Sequence, residues 1–102
     1  MILTTTPTIE GRPVKDYLGI VTGEAVVRGS MSDFNAAIAN LGNTRDPVHE
    51  RYLVEAKETA LKKLESRARE LGANAVVGVD LDYGELAKEV MMTASGTAVV
   101  IP

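Results

Sequence analysis

Three acidic residues near one predicted strand have the clearest potential for chemistry. Asp80 and Asp82 lie two positions apart, which puts both carboxylates on one face of a strand, and Glu85 follows just beyond. Carboxylate oxygens at this spacing are typical ligands of hard divalent cations such as Mg²⁺, Mn²⁺ or Ca²⁺. The alternative is a strand end that carries ordinary solvated acids. A buried role for Asp80 would require a cationic partner, for which Arg28 and Lys15 are candidates.

Two further polar groups lie on predicted strands. Glu24 and Arg28 lie on or beside the second strand, where we expect Glu24 to be exposed or paired at a subunit interface, since unpaired charges are rarely buried. Hydroxyl groups alternate along the last strand, at Thr93, Ser95 and Thr97. They can bind an anion, or they can form the solvent face of a half-buried sheet.

Composition excludes several kinds of chemistry. The 102-residue chain contains no Cys, no Trp, one Phe and one His, at position 49. The absence of Cys excludes disulfides, thiolate metal sites and Cys nucleophiles, and we expect His49 to be a neutral surface residue in the first turn of a helix. The net charge is −3, and phosphate contacts need clustered Lys and Arg. We therefore expect neither an enzyme nor a nucleic-acid-binding protein.

Length and hydropathy favour a single domain in the cytoplasm. A chain of 102 residues is close to the commonest domain size. No apolar run approaches the ~18 residues of a membrane span, and the first residues lack the pattern of a signal peptide. The absence of Cys is consistent with a reducing compartment.

The elements that must position these residues are predicted in the order β-β-α-α-β-β. Apolar alternation predicts strands over residues 2–6, 14–27, 75–83 and 89–101, with a polar turn over 84–88. A first helix is predicted from the Ser30 cap to Gly42. A second helix of about 25 residues begins after the Asp46 cap, with Pro47 as its first residue, and ends at Gly72.

Strands at both ends with helices between them predict an α+β fold of two layers. The last two strands should form an antiparallel hairpin, and the long helix should lie across a mostly antiparallel sheet. Small residues of the last strand (Ala94, Gly96 and Ala98) would let the helix approach closely. Gly19 and Gly23 indicate a bulge or a close backbone approach in the second strand.

Several segments of the chain resemble the YbjQ-like family, whose members carry the label of heavy-metal-binding proteins without an established activity. The matching stretches, in chain order, are TTPT at 5–8, YLGIVTGE at 17–24, ELGANAVVGVD at 70–80, DY at 82–83 and TASGTAV at 93–99. The resemblance implies a dodecin-like α+β subunit over residues 1–102. It also implies a ring-shaped homo-oligomer of five subunits or of two stacked fives.

The long strands favour the same assembly on physical grounds. Strands that exceed the usual five to six residues leave unpaired backbone groups at their ends, which invites pairing with a neighbouring copy. Head-to-tail pairing that closes on itself gives a ring. We therefore expect a ring that holds a divalent metal or a small ligand at its subunit interfaces, with Asp80, Asp82 and Glu85 as candidate ligands. The alternative is a scaffold without any ligand.

Overall fold

The computed structural model of the chain describes residues 1–27, 47–86 and 89–102, without the side chains of 47–50 and 85–86. One helix and four strands lie within these ranges. They are β1 (Ile2–Leu3), β2 (Asp16–Val26), α1 (Pro47–Glu70), β3 (Ala75–Leu86) and β4 (Glu89–Val100). The predicted helix over residues 30–41 lies outside the described residues.

The strands form one mixed sheet in the order β1-β3-β4-β2. β1 pairs with β3 in parallel, whereas β4 pairs in antiparallel fashion with both β3 and β2. The predicted α+β class is confirmed. The predicted order with two helices is not matched, because the described part of the chain contains one helix.

Helix α1 forms where the sequence predicts the long helix. Pro47 is its first residue, a position where the missing amide hydrogen costs nothing. At the other end, the amides of Gly72 and Ala73 donate to the carbonyls of Arg69 and Ala68, and Gly72 has a φ of 90°. This is the Schellman pattern, and its left-handed residue favours glycine. The helix therefore ends where β3 must begin.

The inner face of the sheet packs against a stripe of mostly small side chains on α1. The buried residues of this stripe are Ala56, Ala60, Leu64 and Ala68. They meet Val21 and Ala25 of β2, Ala94 and Ala98 of β4, and Val76 and Val79 of β3. The core is thus built mostly from alanine and valine, so the helix axis lies close to the sheet.

The helix backbone approaches the sheet closely at Gly23, one of the two glycines for which the sequence indicated a bulge or a close approach. Ala94 and Ala98 of β4 lie in the core under the helix, as predicted. A Cβ built on Gly23 would overlap the carbonyl oxygen of Ala60 and lie 2.7 Å from the amide nitrogen of Leu64. A Cβ on Gly96 would instead meet side-chain atoms of Val76 and Val79 on the neighbouring strand. The missing side chain of Gly23 therefore allows α1 to lie close to β2. The missing side chain of Gly96 leaves space for the valine side chains of β3.

Bulges interrupt both antiparallel pairings. The register of β2 shifts between Tyr17 and Gly19, and that of β3 shifts between Val77 and Asp80. Gly78, inside the second bulge, has a φ of 61°, which glycine adopts at little cost. The β3 bulge puts Val79 into the core under α1, whereas Asp80 faces away from the helix.

Two predicted boundaries were wrong. Residues 2–6 form only a two-residue strand, because β3 bulges at Gly78 and the main chains of Thr4 and Thr6 bond to it there without a regular ladder. The predicted turn over 84–88 is also too long. β3 continues through Leu86, since Gly84 pairs with Met91 and Leu86 pairs with Glu89.

A second, smaller core lies on the sheet face opposite α1, which we call the outer face. It contains the buried residues Ala75, Val77, Val99 and Ile101, and Ile9 and Val14 pack against it. Asn74 closes this end of the sheet, because its side chain accepts from the amide of Ile101 and donates to its carbonyl, at 2.8 and 2.7 Å. The N-terminal segment thus covers one end of the outer face.

Candidate functional site

Two polar rows cross the outer face next to the small core. Thr22 of β2, Ser95 of β4 and Asp80 of β3 are register partners in one row. Glu24, Thr93 and Asp82 form the next row. Because cross-strand partners have Cβ atoms about 5 Å apart, these rows bring carboxylates and hydroxyls together on one surface.

Asp80 and Asp82 share the outer face, as the sequence spacing predicts. Both are exposed, so the buried ion pair considered for Asp80 is not formed. One oxygen of the Asp82 carboxylate accepts from the amide of Tyr83 at 2.8 Å. The Thr93 hydroxyl lies 3.4 Å from the main-chain carbonyl of Asp82, to which it donates. The two carboxylates therefore present free oxygen lone pairs to the surroundings.

The third predicted ligand is not placed with the other two. Glu85 takes the register position opposite Val90, and its side chain lies outside the described part of the chain. Among the described residues, no group of three His, Asp or Glu residues is arranged to hold a metal ion. The His49 side chain is outside that part as well. A single copy thus supplies two carboxylates, and Glu85 stays a prediction.

Glu24 is paired within its own chain, by a residue that the sequence analysis missed. Arg67 of α1 reaches past β2 and donates to both oxygens of the Glu24 carboxylate, at 2.8 and 3.0 Å. The same guanidinium donates to the main-chain carbonyl of Thr22 at 2.8 Å. We call this arrangement the Arg67 clamp. Its two charged partners are 43 residues apart, so no local spacing rule could have revealed it.

The clamp shifts the titration of both partners. The hydrogen bonds from Arg67 lower the pKa of Glu24, against a smaller opposing effect of desolvation. The same hydrogen bonds raise the pKa of Arg67. Glu24 is therefore ionised across the physiological range, and the clamp carries no net charge.

Acid is expected to remove the contribution of the clamp to folding stability. The pKa of Glu24 is lower in the folded than in the unfolded state, so folding favours the ionised form. This contribution is full above the unfolded pKa of about 4.3 and is lost as pH falls through the folded pKa. Urea denaturation of wild type and Glu24→Gln from pH 7 to pH 3 should show a difference in unfolding free energy that shrinks with acid.

The control for this titration is Glu58→Gln, at an exposed glutamate of α1. It should follow the wild type throughout the pH range. A wild-type advantage over Glu24→Gln that stays constant down to pH 3 would contradict the titration of Glu24 as its source.

The donor chemistry of the outer face fits one kind of metal only. Asp80, Asp82 and the neighbouring hydroxyls of Thr93 and Ser95 supply oxygen, which hard divalent cations prefer. Soft heavy-metal ions prefer thiolates, and the chain contains no Cys. Two carboxylates fill only part of the six to eight positions around such a cation.

The fold and the outer face define a small α+β protein with an exposed carboxylate pair. The chain belongs to the YbjQ family, described as "Putative heavy-metal-binding", whose family model matches residues 1–102. A UPF0145 protein of Clostridium botulinum (strain Eklund 17B / Type B) is 48% identical, over 97% of each chain. The family resemblance inferred from the sequence motifs is therefore confirmed.

A solved structure has the same fold. It is the crystal structure of a protein of unknown function from Pediococcus pentosaceus ATCC 25745, assigned to the DUF74 family. The likeness covers 100% of this chain and 98% of the other, with a TM-score of 0.55 and 20% sequence identity. In the described part of this chain, no helix is long and apolar enough to cross a membrane.

Proposed function

We propose that the protein is a cytoplasmic binding protein rather than an enzyme. It works as a closed homo-oligomeric ring, of five subunits or of two stacked fives, that holds a hard divalent cation between subunits. The carboxylates of Asp80 and Asp82 bind the cation in each copy. A neighbouring copy completes the ligand set, with Glu85 as a further candidate ligand.

The observation that carries this proposal is the position of the carboxylate pair on the sheet. Asp80 and Asp82 are exposed, have no cationic partner among the described residues, and lie on the part of β3 beyond its last backbone bond to the N-terminal segment. The N-terminal segment bonds to β3 only as far as Val79, whose amide donates to Thr4. The pair is therefore located where a second copy can add its own oxygens.

The direction of the two outer long strands supports a ring. β2 and β3 both run antiparallel to β4, so they run parallel to each other. Among the described residues, β2 forms one edge of the sheet, and on the other side the Asp80–Leu86 part of β3 extends beyond the last backbone bond between β3 and the N-terminal segment. If copies are arranged in a ring whose axis runs along the strands, β2 of one copy can therefore pair with β3 of the next copy.

Exposed apolar side chains on β2 support a protein contact even without a metal. Ile20 is 81% exposed and Tyr17 is 69% exposed, both on the outer face next to the small core. Large apolar side chains this exposed commonly mark protein contacts. The second candidate function is thus a ring that serves as a scaffold without a ligand.

Mn²⁺ binding by the untagged protein tests the metal proposal. Native mass spectrometry and elemental analysis after equilibration with Mn²⁺ should show bound metal in a fixed ratio to subunits. The Asp80→Asn/Asp82→Asn variant should bind at least about tenfold more weakly, because each substitution removes a charged oxygen ligand.

The matched control is Asp16→Asn, an exposed acid at the far end of the same sheet, which should bind Mn²⁺ like the wild type. A ring that takes up no Mn²⁺ would contradict the metal proposal and favour the scaffold function. Equal Mn²⁺ binding by the wild type and the Asp80→Asn/Asp82→Asn variant would do the same. A monomer at micromolar concentration would contradict the ring itself.

A further inference from the structure

The two edge strands of the sheet, β1 and β2, have the same direction and are level with each other. β1 is parallel to β3, and both β3 and β2 are antiparallel to β4. Leu3 of β1 pairs with Val76 of β3. Val76 pairs with Ala98 of β4, which in turn pairs with Gly19 of β2. A head-to-tail arrangement of copies therefore brings β1 of one copy beside the Asp16–Val21 part of β2 of the next.

The outer side of β1 carries backbone groups that have no partner among the described residues. The amide of Thr4 donates to the carbonyl of Val76, and the carbonyl of Thr4 accepts from the amide of Val79, so both groups of Thr4 point toward β3. Because this direction alternates along a strand, the amide and carbonyl of Leu3 point away from the sheet. They are available to a further strand.

The matching part of β2 is open as well. In the regular part of the β2–β4 ladder, the amide of Val27 donates to Val90, so alternate residues from Val27 back to Val21 bond to β4. Ile20 is the next residue, and its amide and carbonyl point outward. No hydrogen bond from the described part of the chain reaches either group.

Exposed apolar side chains accompany the open backbone groups on both edges. On β2 they are Tyr17 and Ile20, and on β1 the exposed side chain is Ile2. Ile2 and Tyr17 end one row of register partners across the sheet, so both lie on the outer face. Pairing of the two edges would remove these side chains from water and satisfy the backbone groups in the same contact.

We propose that β1 of one copy adds to the Asp16–Val21 part of β2 of the next copy as a parallel strand. This inference rests on the proposed ring and names the strands that hold neighbouring copies together. Beyond this level, outward groups of both sides are bonded within the chain. The Tyr83 amide donates to the Asp82 carboxylate, and the Thr22 carbonyl accepts from Arg67, each at 2.8 Å.

Amide hydrogen exchange in the assembled wild-type protein tests this pairing. The amides of Leu3 and Ile20 have no acceptor among the described residues of their own chain, so only the contact can protect them. Both should exchange at least tenfold more slowly, relative to unstructured-peptide rates, than the amide of Val26. Val26 also directs its amide outward from β2, but it lies beyond the reach of β1. Exchange of Leu3 at the relative rate of Val26 would overturn the proposal.

Substitution on the β2 edge provides a second test. Ile20→Lys should weaken assembly at least tenfold, because it places a charge in the paired edge. The side chain is exposed, so circular dichroism should show that the subunit stays folded. The matched control is Val26→Lys, which changes another exposed apolar residue of β2 and should keep the wild-type mass in native mass spectrometry. Unchanged assembly of Ile20→Lys, or equal loss in both variants, would contradict the contact.

These tests separate the contact from the ring on which it rests. A wild-type protein that stays monomeric at micromolar concentration contradicts both. A wild-type ring that forms without protection of Leu3 and Ile20 contradicts the contact alone.

Discussion

Gly23→Val is expected to destabilise the fold by about 3 kcal/mol, at the upper end of the usual cost of overpacking. A Cβ at this position overlaps the carbonyl oxygen of Ala60 and lies 2.7 Å from the amide nitrogen of Leu64. Both atoms belong to the helix backbone, so no side-chain rotation can relieve the overlap. The helix must therefore move away from β2, which loosens the packing of the core residues between α1 and the sheet.

Chemical denaturation with urea measures this change as a lower midpoint. The matched control is Gly84→Val, since a Cβ on Gly84 meets nothing within 4 Å. This control should remain within about 0.5 kcal/mol of the wild type. Similar midpoints for Gly23→Val and the wild type would contradict the close approach of α1 to β2.

Leu64→Ala is expected to cost about 3 kcal/mol through the cavity that it leaves. Leu64 has no exposed surface and is one of the largest fully buried side chains of the described residues. Its neighbours in the core are mostly alanine and valine, whose short side chains cannot move far enough to fill the space. The loss should appear in the unfolding free energy from urea denaturation.

Leu71→Ala is the control for the cavity, because Leu71 directly follows the same helix and is 49% exposed. It removes the same atoms without leaving a buried cavity, so its cost should be much smaller. Equal losses for the two variants would show that Leu64 contributes no more than an exposed leucine.

Local patterns predicted most of the elements, and the reason is visible at α1. Pro47 and Gly72 mark its two ends through the backbone conformations that they favour, and both act within one helical turn. The alternation that puts Asp80 and Asp82 on one face is equally local. Each of these features depends on neighbours in the sequence.

Features that depend on distant residues were not predictable in the same way. The Arg67 clamp joins residues 43 positions apart, and the register that puts Asp80 beside Ser95 follows from a bulge at Gly78. The sequence indicated a close backbone approach at Gly19 or Gly23 without showing which strand the helix would meet. The side chain of the third candidate ligand, Glu85, lies outside the described residues, so its place beside Asp80 and Asp82 stays a prediction.

The order of the strands along the chain has a consequence for the kinetics of folding. α1, β3 and β4 are consecutive, and the β3–β4 hairpin closes a very short loop, whereas β2 reaches β4 only across the whole of α1 and β3. Closing the longer loop costs more entropy, so we expect the helix and hairpin to form the nucleus and β2 to dock late. Contacts made after the transition state affect mainly the unfolding rate. The contact of Gly23 with α1 would then determine how long the native state persists once formed, rather than how quickly the chain reaches it.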